Sequence, residues 1–399
     1  MTASRPDPGP RPARAGFDAL LLVSFGGPEA PDEVMPFLRR VTRGRGVPDE
    51  RLAEVAEHYY RFGGSPINGQ NRALRAALAD ALAPLPVYWG NRNAPPLLAD
   101  EVARMRDDGA RRAACLVTSA FSSYSGCRQY REDLAAAAEA VGPDAPELVK
   151  LRAFFDHPGF VVPMVDNTRA ALAELLADLG IEPAADPIGD PVAPVAPVAP
   201  VDPVGPGGPA GRAPRLVFVA HSVPAAQAAA SGPEGGAYVR QLEATSAVIA
   251  AAVAGESGLG PLGHDLVYCS RSGPPSVPWL GPDVGDHLAT LAAAGAPGAV
   301  LVPVGFVSDH MEVAYDLDVQ AAERARAAGL PIRRAATVGT DARFVTMAGQ
   351  LMDEWAEPAA PRPGLTGLGP VADVCPAGCC RPVGRPAGRP ASAGTPNAR

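Results

Sequence analysis

One histidine and two carboxylates stand where a folded chain does chemistry. His221 directly follows the apolar run Leu216 to Ala220, within His221-Ser222-Val223-Pro224. An imidazole at such a strand end has a pKa that crosses neutrality with small changes of surroundings. A second apolar run, Ala299 to Val304, leads into Gly305-Phe306-Val307-Ser308-Asp309-His310-Met311-Glu312 and then Tyr315-Asp316-Leu317-Asp318. If a helix begins near Asp309, Glu312 and Asp316 stack on one face, with Asp309 one turn earlier. Like charges on adjacent turns repel unless something positive lies between them, so a cation or a moving proton fits. The plainer reading has the acids answering a helix dipole and the histidine merely packing. Together, His221 and Glu312 offer one nitrogen and one carboxylate oxygen from two strand ends, with positions left open for exchange. That donor set suits a transient divalent ion such as ferrous iron and fits a tightly held structural zinc poorly.

Other strand ends carry polar and aromatic groups. Ser24-Phe25-Gly26-Gly27-Pro28 has a Gly pair that permits close backbone approach, but the G-x-G-x-x-G spacing of a dinucleotide fingerprint is absent. Phe62-Gly63-Gly64-Ser65-Pro66-Ile67-Asn68 reads as a loop, as does Ser119 to Gly126, which runs on through Cys127 to Tyr130. Hydroxyls and aromatics beside a cleft suit a flat ring with polar edges, although turns use Ser and Gly as readily. Arg43 and Arg45 can fork onto carboxylates or stand as a solvated surface pair. Three thiols crowd into Cys375-Pro376-Ala377-Gly378-Cys379-Cys380. So dense a group suggests a metal, and an iron–sulfur cluster takes four Cys ligands, one more than this tail supplies. Cys115 and Cys269 lie within apolar runs and read as core.

The elements that must position these groups follow from hydrophobic patterning. Ala19 to Val23, Val87 to Trp89, Ala113 to Val117, Leu216 to Ala220, Leu266 to Cys269 and Ala299 to Val304 read as short buried strands. Helical spacing follows at Pro31 to Arg40, Leu97 to Asp107, Tyr130 to Val141, Ala237 to Ala254, Asp283 to Ala294 and Ala314 to Ala328. Strand then helix, three times on each side of a Pro-rich stretch, predicts an α/β protein of two similar halves with parallel sheets. The default ligand cleft lies between them, outside the carboxyl ends of the strands. The expected division is a disordered start at 1–15, a first half at 16–165 and a second at 166–345 with a Pro-rich insertion at 187–214. A last helix, Arg343 to Glu354, and the Cys cluster fill 346–380 before a disordered tail at 381–399.

Composition bounds the partners. The chain has 399 residues, 47% hydrophobic and 20% charged, with a net charge of −8, so no global field draws it to nucleic acid or an anionic membrane. Six cysteines are too few for a disulfide scaffold. No apolar run reaches the roughly 20 residues of a membrane helix, and Met1 to Ala15 lacks the apolar core of a secretory signal. A cytoplasmic protein with reduced thiols and no membrane span is expected.

Taken in order, these motifs resemble ferrochelatases, which insert ferrous iron into a porphyrin. The likeness covers about Phe17 to Trp355. It is carried by Phe25-Gly26-Gly27-Pro28, Gly63-Gly64-Ser65-Pro66-Ile67-Asn68, Ala220-His221-Ser222-Val223-Pro224, Pro278-Trp279-Leu280-Gly281-Pro282 and Ser308-Asp309-His310-Met311-Glu312. The resemblance implies a chelatase-like fold of two Rossmann-like halves with four-stranded parallel sheets, holding a porphyrin and no nucleotide. It makes His221 and Glu312 the iron-facing pair and places Ser65 and Tyr130 against the porphyrin. His310, Asp309 and Asp316 support the pair. Phe25 occupies a place where some relatives have a Tyr able to bind iron from the other ring face, and Phe has no oxygen to do so. The composition and the C-terminal Cys cluster look most like actinobacterial members, which act on coproporphyrin III. Arg43 and Arg45 then become partners for its four propionates. Relatives that carry a [2Fe-2S] cluster draw one ligand from the region of Tyr124 to Tyr130, which makes Cys127 the fourth ligand beside Cys375, Cys379 and Cys380. Zinc and free thiols are the alternatives, because the adjacent Cys379-Cys380 pair departs from the more spaced tails of those relatives. Protoporphyrin IX as substrate, a non-catalytic tetrapyrrole- or metal-binding protein, and cobalt chelation onto another tetrapyrrole are the rival functions. Transient contact with neighbouring heme-pathway enzymes is a further expectation.

Overall fold

The structure, a computed structural model, describes residues 13–44, 46–182, 213–273 and 276–383. The expected disordered ends, the Pro-rich insertion and Arg45 fall wholly or mostly outside those residues.

Two four-stranded parallel sheets organise the chain. The first holds β1 (Ala19–Ser24), β2 (Val87–Asn91), β3 (Arg112–Val117) and β4 (Glu147–Lys150) in the order β2-β1-β3-β4. The second holds β5 (Arg215–His221), β6 (His264–Cys269), β7 (Ala299–Val302) and β8 (Ile332–Arg334) in the order β6-β5-β7-β8. β1 is apolar from Ala19 to Val23 because both its faces are covered. Leu20 and Leu22 enter one buried cluster, while Ala19, Leu21 and Val23 enter another. Register sets Ser24 opposite Asn91 and His221 opposite Cys269, so the residues after each apolar run line the carboxyl edge of its sheet.

The six expected strands are present, and the two edge strands β4 and β8 join them. Glu-Leu-Val-Lys and Ile-Arg-Arg are too short and too charged to announce themselves. Helices at Asp49–Tyr60, Ile67–Leu82 and Pro158–Leu179 also lie outside the sequence expectation, and Ile67 and Asn68, read as loop, open one of them. The helix expected from Ala314 to Ala328 is broken into Met311–Ala314, a π-helical stretch Asp316–Ala321, and Ala322–Ala327. A second π-helical turn, Tyr124–Arg128, carries Cys127. Such wide turns collect at functional sites.

One core joins the halves. Leu22 of β1 and Phe218 of β5 belong to the same buried cluster as Phe160 and Met164 of helix Pro158–Leu179 and Phe344 and Met347 of helix Ala342–Ala356. A buried charge network pins the end of that last helix. Arg152 donates to Glu354 at 2.6 and 3.1 Å and to Asp156 at 3.3 Å. His157 beside it caps the helix Pro158–Leu179, its Nδ1 accepting from Gly159 N at 3.0 Å.

That cap requires a neutral ring, and burial followed by the Arg152 charge pushes His157 down from 6.5 to about 3. Above pH 6.5 the ring is neutral in folded and unfolded chains alike. Below it only the unfolded chain takes a proton, so stability falls as pH falls toward 3, by about 1.4 kcal/mol per pH unit. His157→Asn keeps a capping side chain and removes this slope. The expected result is a smaller loss of melting temperature between about pH 6 and pH 4 than in the wild type, and equal losses contradict it.

Candidate active site

His221 ends β5, and Glu312 lies in the short helix Met311–Ala314 that follows β7, so the two strand ends that flank each other in the second sheet deliver both groups. His221 Nε2 is 3.1 Å from Glu312 Oε1. The other ring nitrogen, Nδ1, donates to the Ser222 carbonyl. Both side chains keep about a third of their surface open, 36% and 37%, which leaves the pair reachable by a small ligand. Burial alone would deprotonate His221, but the Glu312 charge and hydrogen bond, with the Ser222 carbonyl, raise it to about 9. The imidazolium in turn overcomes the burial of Glu312 and holds that carboxyl at about 2. At neutral pH the two groups therefore form an imidazolium–carboxylate pair.

His310 is the N-cap of the Glu312 helix. Its Nδ1 accepts from Glu312 N at 3.1 Å and its ring meets Phe306 edge-on, so it fixes the direction of Glu312. Burial lowers its pKa, in keeping with a neutral acceptor. Asp309 is not on that helix. It precedes the cap, its N–H donates to Gln70 of the first half at 2.8 Å, and its carboxylate is held by Thr337 at 3.1 Å and Arg334 at 3.4 Å. Helical stacking of Asp309 on Glu312 is thus corrected. Once His310 caps the helix, the residue before it turns away to the neighbouring strand and helix.

Asp316 begins the π-helical stretch and accepts a hydrogen bond from Ser270. Burial pushes it up, with the Glu312 charge adding to the push, and it stands at about 7 despite the Ser270 bond. Ser270 follows β6 with φ +63°, a left-handed backbone that a non-glycine residue adopts at a cost of about 1–3 kcal/mol. Asp316 and Ser270 line a groove of about 630 Å³ whose other walls include Asp283, Asp286 and Glu323. Ser270 was not singled out by the sequence, where its backbone strain is invisible.

In the first half, the two Gly-rich motifs lock onto each other. Ser65 N donates to the Pro28 carbonyl at 2.7 Å, and Asn68 Nδ2 donates to the Gly27 carbonyl at 3.0 Å. Gly64 has φ +145°, and a Cβ there would lie 2.8 Å from the Pro28 carbonyl oxygen, so only glycine allows this approach. Ser65 and Phe25 are thereby fixed at one wall, with Phe25 37% exposed. Tyr130 is buried, and the Arg92 guanidinium lies 3.8 Å from its ring centroid and 5.9 Å from that of Phe25. Arg92 also pairs with Asp133, and its Nη2 is buried with no hydrogen-bond partner. The sequence reading missed Arg92, which follows β2 in a polar stretch with no motif. Arg43 is exposed on the turn after helix Pro31–Val41 and has no ion-pair partner among the described residues.

The four cysteines of the second constellation come together. Cys127 and Cys379 lie within interaction range of Cys375, and Cys379 Sγ is 3.7 Å from Cys380 Sγ, all as free thiols. These contacts, joined by the Lys150 and Arg131 charges, hold Cys375 well below the usual thiol range against its burial. Arg128 donates to the Ala377 carbonyl at 2.6 Å, and Gly232 N donates to Cys380 Sγ at 3.1 Å, so the tail touches both halves. Cys115 and Cys269 are buried in β3 and β6. No helix of the described residues is long and apolar enough to cross a membrane.

The geometry agrees with what the chain resembles. The ferrochelatase family model matches residues 17–186 and 201–355. A protein of Frankia alni named coproporphyrin III ferrochelatase is 57% identical over 386 residues, covering 96% of this chain and 89% of that protein. One of the same name from Streptomyces griseus is 50% identical over 399 residues, covering 96% and 98%. A third, from Mycolicibacterium vanbaalenii, is 49% identical over 342 residues, covering 84% and 89%. On this match across most of its length, the chain belongs to the ferrochelatase family.

Proposed function

We propose that this protein inserts ferrous iron into coproporphyrin III to give the iron porphyrin of heme synthesis, acting in the cytoplasm and passing its product to a neighbouring enzyme. The observation that carries the reading is the His221–Glu312 pair, 3.1 Å apart and a third open, at the carboxyl edge of the second sheet. The names of the relatives supply the ring. The two halves, 16–165 and 166–345, would form opposite walls, with Ser65, Phe25 and Tyr130 on one side of the macrocycle and the pair on the other.

Two pyrrole protons must leave for each iron that enters, so a base has to face the ring. His221 holds a proton beside Glu312, and an arriving dication drives that proton to Asp316 and on to solvent by charge repulsion. The freed imidazole can then take a pyrrole proton. Asp316, at about 7, exchanges protons near neutrality and lies between the pair and the acidic groove of Asp283, Asp286 and Glu323. That arrangement supports a route for protons out and for iron in. The test is anaerobic incubation of the purified protein with ferrous iron and either porphyrin, followed by the absorption spectrum. Rapid metallation of coproporphyrin III with slow metallation of protoporphyrin IX supports the proposal. Ring binding without metallation defeats it in favour of a carrier.

Arg92 belongs to the same reading. A buried guanidinium N–H without a partner costs about 1–3 kcal/mol until something accepts from it. A propionate reaching between Phe25 and Tyr130 would do so. Arg92→Ala should raise the Kd for coproporphyrin III about tenfold, measured by porphyrin fluorescence, and affect protoporphyrin IX less. Equal affinities in variant and wild type would remove Arg92 from the ring site.

We propose that Cys127, Cys375, Cys379 and Cys380 hold a [2Fe-2S] cluster, which takes four Cys ligands. The reading is supported by the mutual interaction of the four thiols, and because no three donors among the described residues are arranged around one metal position, the thiols would have to close in on binding. When bound, the cluster supplies one-electron redox chemistry and a cross-link between the tail and the first half, separate from the inserted iron.

A further inference from the structure

Ser270 directly follows β6 in a left-handed backbone, φ +63°, a conformation that glycine and asparagine adopt far more readily. Strain of this kind persists only where the surroundings over-determine it, and it collects at sites that do chemistry. The residue before it is firmly held. Cys269 is in register with His221, and its carbonyl accepts from Ser222 N at 2.8 Å. Glycine would make the same turn without strain, so what serine adds here is the hydroxyl.

That hydroxyl stands between two groups. Ser270 Oγ donates to Asp316 Oδ2 and lies 3.3 Å from Cys269 Sγ. A hydroxyl has a single proton to give. Burial keeps the Cys269 thiol protonated, so the thiol gives its proton to Ser270 Oγ and the hydroxyl gives its own to the carboxylate. Among the described residues Asp316 accepts from no other side chain, so Ser270 occupies Oδ2 and leaves Oδ1 open. Glu312, His221 and Asp283 act on the charge of Asp316, and Tyr59 and Cys269 are its other titratable neighbours. Cys269, Ser270, Asp283 and Asp316 all line the groove of about 630 Å³.

We infer that Ser270 is a positioning residue of the reaction, whose directed hydroxyl fixes the Asp316 carboxylate so that Oδ1 takes the proton leaving His221 and releases it to the groove. This assignment rests on the iron insertion proposed above. Each ferrous ion that enters the ring displaces two pyrrole protons. Each proton passes from His221 to Asp316 and then to solvent, so charge and protons balance over a turnover. A carboxylate without its donor would turn among several orientations, and the transfer would wait for the right one.

The test is single-turnover metallation of coproporphyrin III by ferrous iron, run anaerobically with the full chain in excess over the porphyrin, so that product release does not enter. Ser270→Gly keeps the turn and removes the hydroxyl. It should bind the porphyrin within about twofold of the wild type and metallate it about tenfold more slowly. Ser270→Asn accepts the same backbone and brings back an N–H donor, so it should recover most of the rate. Asp316→Asn should slow the step as well, and adding Ser270→Gly to it should slow it no further, because the hydroxyl acts through that carboxylate. Should Ser270→Gly fail to fold, Ser270→Ala carries the same expectation with the strain retained. A wild-type rate in the hydroxyl-free variant, or a double variant slower by the product of the two losses, would overturn the assignment while leaving iron insertion in place. Wild-type protein that binds the ring and inserts no iron would defeat the proposed function itself.

Discussion

His221→Ala protein should bind coproporphyrin III with wild-type affinity and insert iron about 10²–10⁴ times more slowly, the range expected for loss of a positioned proton acceptor. The ring nitrogens of His221 meet Glu312 and the Ser222 carbonyl, and His221 is not a member of the buried apolar clusters beside it, so the fold should survive the change. Quenching of porphyrin fluorescence on binding and its further loss on metallation separate the two effects in one experiment. Glu312→Gln should show the same split for a related reason. It removes the anion that keeps His221 charged and that faces the incoming dication. A folded His221→Ala protein that metallates at full rate would take the imidazole out of the mechanism.

On the cluster proposal, Cys127→Ser protein should lack the visible absorption and bound sulfide expected of the wild type and melt at least about 5 °C lower. Cys127 sits on the π-helical turn of the first half, and the remaining three thiols come from the tail. Removing it unties the tail at the one point where a cluster would cross-link it to that half. Arg128 still holds the Ala377 carbonyl, so the tail need not detach entirely. A variant with unchanged absorption and iron content would exclude Cys127 as a ligand, and a colourless wild type would leave zinc or free thiols.

The parts of the fold visible in the sequence are those that bury two faces. Leu20 through Val23 and Leu216 through Ala220 are continuous apolar runs because helices cover both sides of each sheet. Edge position explains what was missed. β8 is only partly buried, so Ile332-Arg333-Arg334 carries no such run. The His221–Glu312 pair was legible because each group follows a recognisable strand. Asp309 was misplaced because the capping role of His310, which shifts the helix start to Met311, depends on a ring orientation that residue types do not encode. Arg92 and Ser270 were invisible for a similar reason. Stacking on Tyr130 and a φ of +63° arise from tertiary packing.

The account stands most directly on where the macrocycle lies. A crystal structure with metal-free coproporphyrin III bound should place the ring between Phe25 and the second sheet, its central nitrogens facing His221 Nε2 with Glu312 alongside. A ring seated elsewhere, or one with both side chains turned from its centre, would contradict it.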